Sequence, residues 1–199
     1  MAGLLKHDIK APVSSLRIAA WSGAALILLI PLVAMQFSDQ VAWSAMDFLF
    51  AAGMIGSAGL ALELAVRKTG SKVYRLGVII GVAAAFLLIW VNGAVGIIGS
   101  ENNDANLMYA GVFAVAVIGA IASRFRARGM SLAMWTVAAA QTVVTLIAIV
   151  MGLGGEVTTS AQLVMINGVF VAMWAVSATL LGNAADAEAS TPHSGGSAA

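Results

Sequence analysis

Residues 77–99 read GVIIGVAAAFLLIWVNGAVGIIG, 23 positions without a charged side chain. A helix that crosses the hydrocarbon core of a bilayer needs about 20 mostly apolar residues, so this stretch is long enough to span. It is also too long, and too continuously apolar, for a barrel strand of about 9–11 alternating residues. Five further runs read the same way, giving expected spans at about 17–36, 43–66, 77–99, 107–123, 131–152 and 160–182. The connections between them are short, so neighbouring helices must run antiparallel and no soluble domain fits between them. The expected fold is all-α: a polytopic membrane protein built as a compact bundle of six transmembrane helices over 17–182. A cytoplasmic segment, 1–16, precedes it, and a disordered cytoplasmic tail, 183–199, follows.

The composition of the whole chain agrees. Of its 199 residues 61% are hydrophobic and 10% charged, against roughly 25% charged in an ordinary soluble domain. Ten basic residues against nine acidic ones leave a net charge of +1, with no basic surplus for nucleic acid. There is no cysteine, which removes disulfides and thiolate metal sites. The two histidines, His7 and His193, stand near the termini outside every apolar run. Bis-His haem ligation, an H-E-x-x-H zinc site and a Ser-His dyad are therefore excluded within the spans. Lys6, Lys10, Lys68 and Lys72 also lie outside the spans, so an intramembrane Schiff base has no amine.

If the spans alternate, all ten basic residues fall on one side: Lys6, Lys10 and Arg17, then Arg67, Lys68, Lys72 and Arg75, then Arg124, Arg126 and Arg128. By the positive-inside rule that side is the cytoplasm, with both termini inside and anionic lipids as the expected neighbours of the basic face. The opposite connections carry Asp39, Glu101, Asp104 and Glu156. The first run is longer than a signal-peptide apolar region of 7–15 residues, so it is expected to stay as a span.

Ionisable residues inside hydrocarbon cost roughly 2.5–3.5 kcal/mol at a helix centre, and only Asp47 and Glu63 fall within spans, both on the second. Glu63 stands four residues before Arg67, the spacing of an interfacial ion pair on a helix. Asp47 reads either as a helix-start group or as one wall of a polar pocket. Asp47 lies roughly 11 Å, and Asn92 and Asn167 about 6 Å, outward of their spans' midpoints at 1.5 Å per residue. Gln141 sits near the middle of the fifth span, and Pro31 on the first should leave the Ile27 carbonyl without its helical donor. Two readings stay open: these groups line an outward-facing polar pocket for a small solute or cation, or the amides only hydrogen-bond neighbouring helices.

Small residues mark seams for close helix contact: Gly53, Gly56 and Gly59, Gly77 and Gly81, and Ala116 with Gly119. Trp43, Tyr109, Trp21 and Trp135 suit interfacial belts, whereas Trp90 and Trp174 lie deeper and either fill volume or flank a ligand. The loop Ser100-Glu101-Asn102-Asn103-Asp104-Ala105-Asn106 is rich in oxygens but matches no calcium-loop spacing, and Asp104 or Asn106 is expected to cap the fourth helix. Asp47 and Glu63 are sixteen residues apart on one helix, about 24 Å, too far to act on one bond, so no enzyme is expected. No metal or cofactor is expected either.

Three runs carry a resemblance: Ile30-Pro31-Leu32-Val33-Ala34-Met35-Gln36-Phe37, Leu62-Glu63-Leu64-Ala65-Val66-Arg67-Lys68, and Trp90-Val91-Asn92-Gly93-Ala94-Val95-Gly96-Ile97-Ile98-Gly99-Ser100-Glu101 followed by Asn106-Leu107-Met108-Tyr109. They resemble a family of small six-span bacterial integral membrane proteins with no assigned activity. The resemblance implies a bacterial cytoplasmic (inner) membrane and no particular chemistry. The functional expectation is a non-catalytic protein with the pocket above; the alternative is a structural, accessory or assembly subunit of a larger membrane complex.

Overall fold

A computed structural model describes residues 13–38, 41–68 and 71–190. They form six helices: α1 Val13–Ala34, α2 Ala45–Lys68, α3 Lys72–Val95, α4 Met108–Ala122, α5 Ala127–Val150 and α6 Ser160–Ala189. A 3₁₀ turn, Asp104–Leu107, leads into α4, and no strand occurs among the described residues. Five helical segments are long and apolar enough to cross a membrane, namely α2, α3, α5, α6 and α4 taken with its leading 3₁₀ turn (Asp104–Ala122); in α1 the apolar run Trp21–Ala34 is shorter. His7, His193, Lys6, Lys10 and Asp39 lie outside the described residues, as do 1–12 and 191–199 of the expected terminal segments.

The chain divides between Gly59 and Leu60 into two compact units. In the first, α1 and the opening turns of α2 meet at Gly59, where an added Cβ would stand 2.9 Å from Cη2 of Trp21. Ala51 and Met54 are its buried apolar residues. Ser44 and Asp47 start α2 with a reciprocal cap: Asp47 Oδ2 accepts from the Ser44 N–H at 2.7 Å and from its hydroxyl at 2.8 Å, while the Asp47 N–H donates to Ser44 Oγ at 3.3 Å.

The second unit holds the end of α2 and the bundle α3–α6. Here α6 packs on both α5 and α3, and α5 packs on α4. The contacts run antiparallel: Ser177 Oγ donates to the Gly77 carbonyl at 2.8 Å, and Ser131 Oγ to the Ala178 carbonyl at 2.7 Å. Lipid is as apolar as leucine, so such helices associate through close packing and polar contacts rather than by escaping water. The small residues serve this. A Cβ on Gly77 would meet Leu181 Cγ at 2.9 Å, one on Gly81 would meet Ser177 Oγ at 2.9 Å, and one on Gly119 would meet the Ala133 Cβ at 2.7 Å. Leu88, Val112, Val137, Leu163, Trp174 and Leu181 fill the interior. Large apolar side chains such as Leu132, Leu146, Val164 and Val169 face outward, as they do in a lipid-facing surface.

Three expectations shift. The third helix runs 72–95 rather than 77–99, because Gly96 takes φ +69° and an added Cβ there would collide with the Ser100 carbonyl oxygen. The apolar Ile97 and Ile98 that follow are buried loop residues. The sixth helix continues to Ala189, so residues 183–189 of the expected tail are helical; Ala184 packs inward, and Arg128 on α5 donates to Asp186 at 2.8 Å. Tyr109 is buried at 2% exposure and not part of an interfacial belt.

Candidate functional site

The connection into α4 explains how the site is placed. Asn106 Oδ1 accepts from the Ile97 and Ile98 N–H groups at 3.0 and 2.9 Å, and its Nδ2 donates to the Ile98 and Ser100 carbonyls at 3.1 and 2.7 Å. One buried amide thus bonds four backbone groups, three of which, the Ile97 and Ile98 N–H groups and the Ile98 carbonyl, have no other partner among the described residues; the Ser100 carbonyl also accepts from the Asn103 N–H at 3.1 Å. Asn103 caps the 3₁₀ turn through the Ala105 N–H and donates to the Leu153 carbonyl at 2.9 Å; Thr158 Oγ1 accepts from the Gly99 N–H at 3.2 Å. The 96–107 and 151–159 loops, which lead into α4 and α6, are thus stitched together.

One turn beyond Asn106, Tyr109 points into the interior. Its hydroxyl donates to Asn167 Oδ1 on α6 at 3.0 Å, and Gln141 Nε2 on α5 donates to the same oxygen at 2.8 Å. Asn167 Nδ2 donates to the Leu163 carbonyl at 3.0 Å. Three helices therefore meet in one polar cluster, with Gln141 and Asn167 at 0% and 1% exposure. Gln141 Oε1 is buried and has no partner. Turning the Gln141 amide over would not help, because it would set its oxygen against Asn167 Oδ1. An unmade hydrogen bond on a buried acceptor costs about 1–3 kcal/mol.

Asn92 lies three residues from the end of α3, nearer the loop than a span centred on residue 88 implies. Its Nδ2 donates to the Asn106 backbone carbonyl at 3.2 Å, and its Oδ1 is a second buried acceptor without a partner. The third such atom is a donor, Nε1 of Trp174, two turns along α6 from Asn167. Trp174 fills the interior, whereas Trp90 is 42% exposed and stacks on Phe86, with ring centroids 6.1 Å apart.

The structure thus brings Asn167 and Gln141 together and places Asn92 on the loop clamp. Asp47 belongs to the other unit and gives its carboxylate to Ser44. Glu63 and Arg67 form the expected ion pair at 2.9 Å, with the Arg67 side chain 65% exposed. No group of three or more His, Cys, Asp or Glu suited to a metal occurs among the described residues. Tyr109 is the member that sequence reasoning missed: beside a polar loop, a tyrosine one turn into a helix has the signature of an interfacial residue. The signal that would have found it is the i, i+3 spacing from Asn106, which puts both on one helix face.

Fold and site together define an all-helical protein with five helices able to span a membrane and an amide–phenol cluster buried among three of them. No protein-family model, curated protein or solved structure matches the chain.

Proposed function

We propose that the chain is a non-catalytic, six-span protein of the bacterial cytoplasmic membrane, both termini cytoplasmic, that binds or passes a small donor-bearing solute or cation at Gln141, Asn167 and Asn92. The observation that carries this reading is the pair of buried acceptors, Gln141 Oε1 and Asn92 Oδ1, left without hydrogen-bond partners. Both are amide oxygens, which suit an N–H or O–H group or a monovalent ion rather than an anion. Asp47 is not needed in this reading. The test is thermal unfolding of the purified protein in mild detergent against sodium, potassium, ammonium and small amides and polyols. At least one should raise the midpoint in the wild type and in Asp47→Asn, and fail to do so in Gln141→Leu. If none stabilises the wild type, or Gln141→Leu responds equally, the reading fails.

A second reading, an accessory or assembly subunit, is favoured by Gly53 and Gly56 on α2, where nothing lies within 4 Å of an added Cβ. A close helix contact from another protein fits there. Gly56→Leu should then release the chain from a partner recovered by gentle solubilisation; recovery of the wild type free of other proteins counts against it.

A further inference from the structure

At the end of the bundle opposite the polar cluster, the α4–α5 turn is held in an uncommon form. Arg124 and Phe125 both have left-handed backbone, with φ 50° and 57°, and the Tyr74 hydroxyl on α3 donates to the Phe125 carbonyl at 2.6 Å. Between this turn, the start of α3 and the end of α6 lies a cavity of about 320 Å³, walled by Tyr74, Phe125, Arg126, Arg128, Ala185 and Glu188. The volume is in the range of small-molecule pockets, roughly 300–1,000 Å³.

Its walls carry both signs of charge. The exposed Arg126 side chain makes no capping bond to α5 and lines the cavity. Arg128 gives Nη1 to Asp186 at 2.8 Å and keeps further N–H donors, since a guanidinium has five. From the facing helix comes the Glu188 carboxylate. A simple anion would face Glu188, and a simple cation would face two arginines. An occupant with a phosphate at one end and an ammonium a few atoms away meets both walls with opposite charge. The cavity lies where α5 begins and α6 ends, at the tips of helices able to span a bilayer, which is where headgroups sit.

We propose that this cavity binds a phosphoethanolamine headgroup, with its phosphate on Arg126 and Arg128 and its ammonium on Glu188, supplied by a bilayer phospholipid. The inference rests on the chain spanning a membrane and not on the solute site at Gln141.

The experiment is native mass spectrometry of the full chain in mild detergent, titrated separately with dioleoyl phosphatidylethanolamine, phosphatidylcholine, phosphatidylglycerol and soluble phosphoethanolamine. The ethanolamine lipid should be retained about tenfold more strongly than the choline lipid, whose quaternary nitrogen has no N–H to donate. Arg126→Gln should reduce retention to the choline level. Glu188→Gln should erase the preference for ethanolamine over choline while leaving the glycerol lipid's retention unchanged or higher. Gln141→Leu should leave all of this as in the wild type, which separates this site from the solute site. Equal retention of the three lipids, a preference for phosphatidylglycerol in the wild type, or an unchanged profile in both cavity variants would overturn the proposal. Soluble phosphoethanolamine binding as tightly as the lipid would overturn the bilayer source.

Discussion

Asn106 shows how much one side chain does at a helix end in this protein. It replaces four backbone partners, two donors and two acceptors, in a loop whose Ile97 and Ile98 are almost wholly buried. Asn106→Ala strips the Ile97 and Ile98 N–H groups and the Ile98 carbonyl, leaves the Ser100 carbonyl only its Asn103 donor, and should lower stability by about 2–4 kcal/mol, read as a loss of thermal midpoint in detergent. Asn106→Asp should not rescue it, because a carboxylate would set oxygen against the Ile98 and Ser100 carbonyls. In the polar cluster the asymmetry runs the same way. Tyr109→Phe removes a donor and leaves Asn167 Oδ1 with its Gln141 bond, so a loss near 0.6–1 kcal/mol is expected. Asn167→Leu strands both the Tyr109 hydroxyl and Gln141 Nε2 and should cost about 2–4 kcal/mol. Equal losses in these two variants would mean that the cluster is not held together through Asn167. Gln141 and Asn167 could be picked out of the sequence because an amide in an apolar run is conspicuous. Asn167's other donor, Tyr109, was harder to pick out, because it carries the same letter whether it faces headgroups or the interior, and only its spacing from Asn106 sets it inward.

Helix by helix, the glycines separate into two kinds that composition does not distinguish. Gly77 has Leu181 where its Cβ would be, whereas nothing lies within 4 Å of a Cβ on Gly93. Gly77→Ala should therefore destabilise the α3–α6 contact by about 1–3 kcal/mol. Gly93→Ala should be neutral or stabilising by up to about 1 kcal/mol, because alanine restricts the unfolded chain without meeting a neighbour. Thermal unfolding of the two variants side by side checks the contrast. The helices themselves were legible as long apolar runs, but their ends were not. In α3 the apolar letters continue through Ile97 and Ile98 after the backbone has turned at Gly96, so hydropathy alone overshoots. In α6 the Ala-rich stretch after Gly182 reads as too weak to pack, yet small residues are what fit at a close helix contact, and Ala184 is 1% exposed.

On the scale of the whole molecule, basic charge gathers at one end of the bundle, where Asp186 and Glu188 also sit. Within the bundle, the α4–α5 turn bears Arg124 and Arg126 and the first turn of α5 bears Arg128, while the segments before α4 and α6 bear Glu101, Asp104 and Glu156 with no basic residue. This sorting underlies the proposed orientation. The chain has no cysteine, so single replacements can report topology without background. In intact cells a membrane-impermeant maleimide should label Asn102→Cys and Glu156→Cys, and should reach Ser190→Cys only after permeabilisation. The reverse pattern would invert the orientation.

The order of the helices along the chain has a consequence for how the protein is made. α6 is the last of them to leave the ribosome, yet Asn167 on it holds the Gln141 amide, and Ser177 on it binds α3. At about 5–20 residues per second, the 26 residues from Gln141 to Asn167 take on the order of 1–5 s to synthesise. Under the proposed membrane insertion α5 then precedes α6 into the bilayer, and Gln141 waits there without its Asn167 partner. Chains truncated before residue 160 and released should accordingly be the form that membrane quality-control proteases recognise.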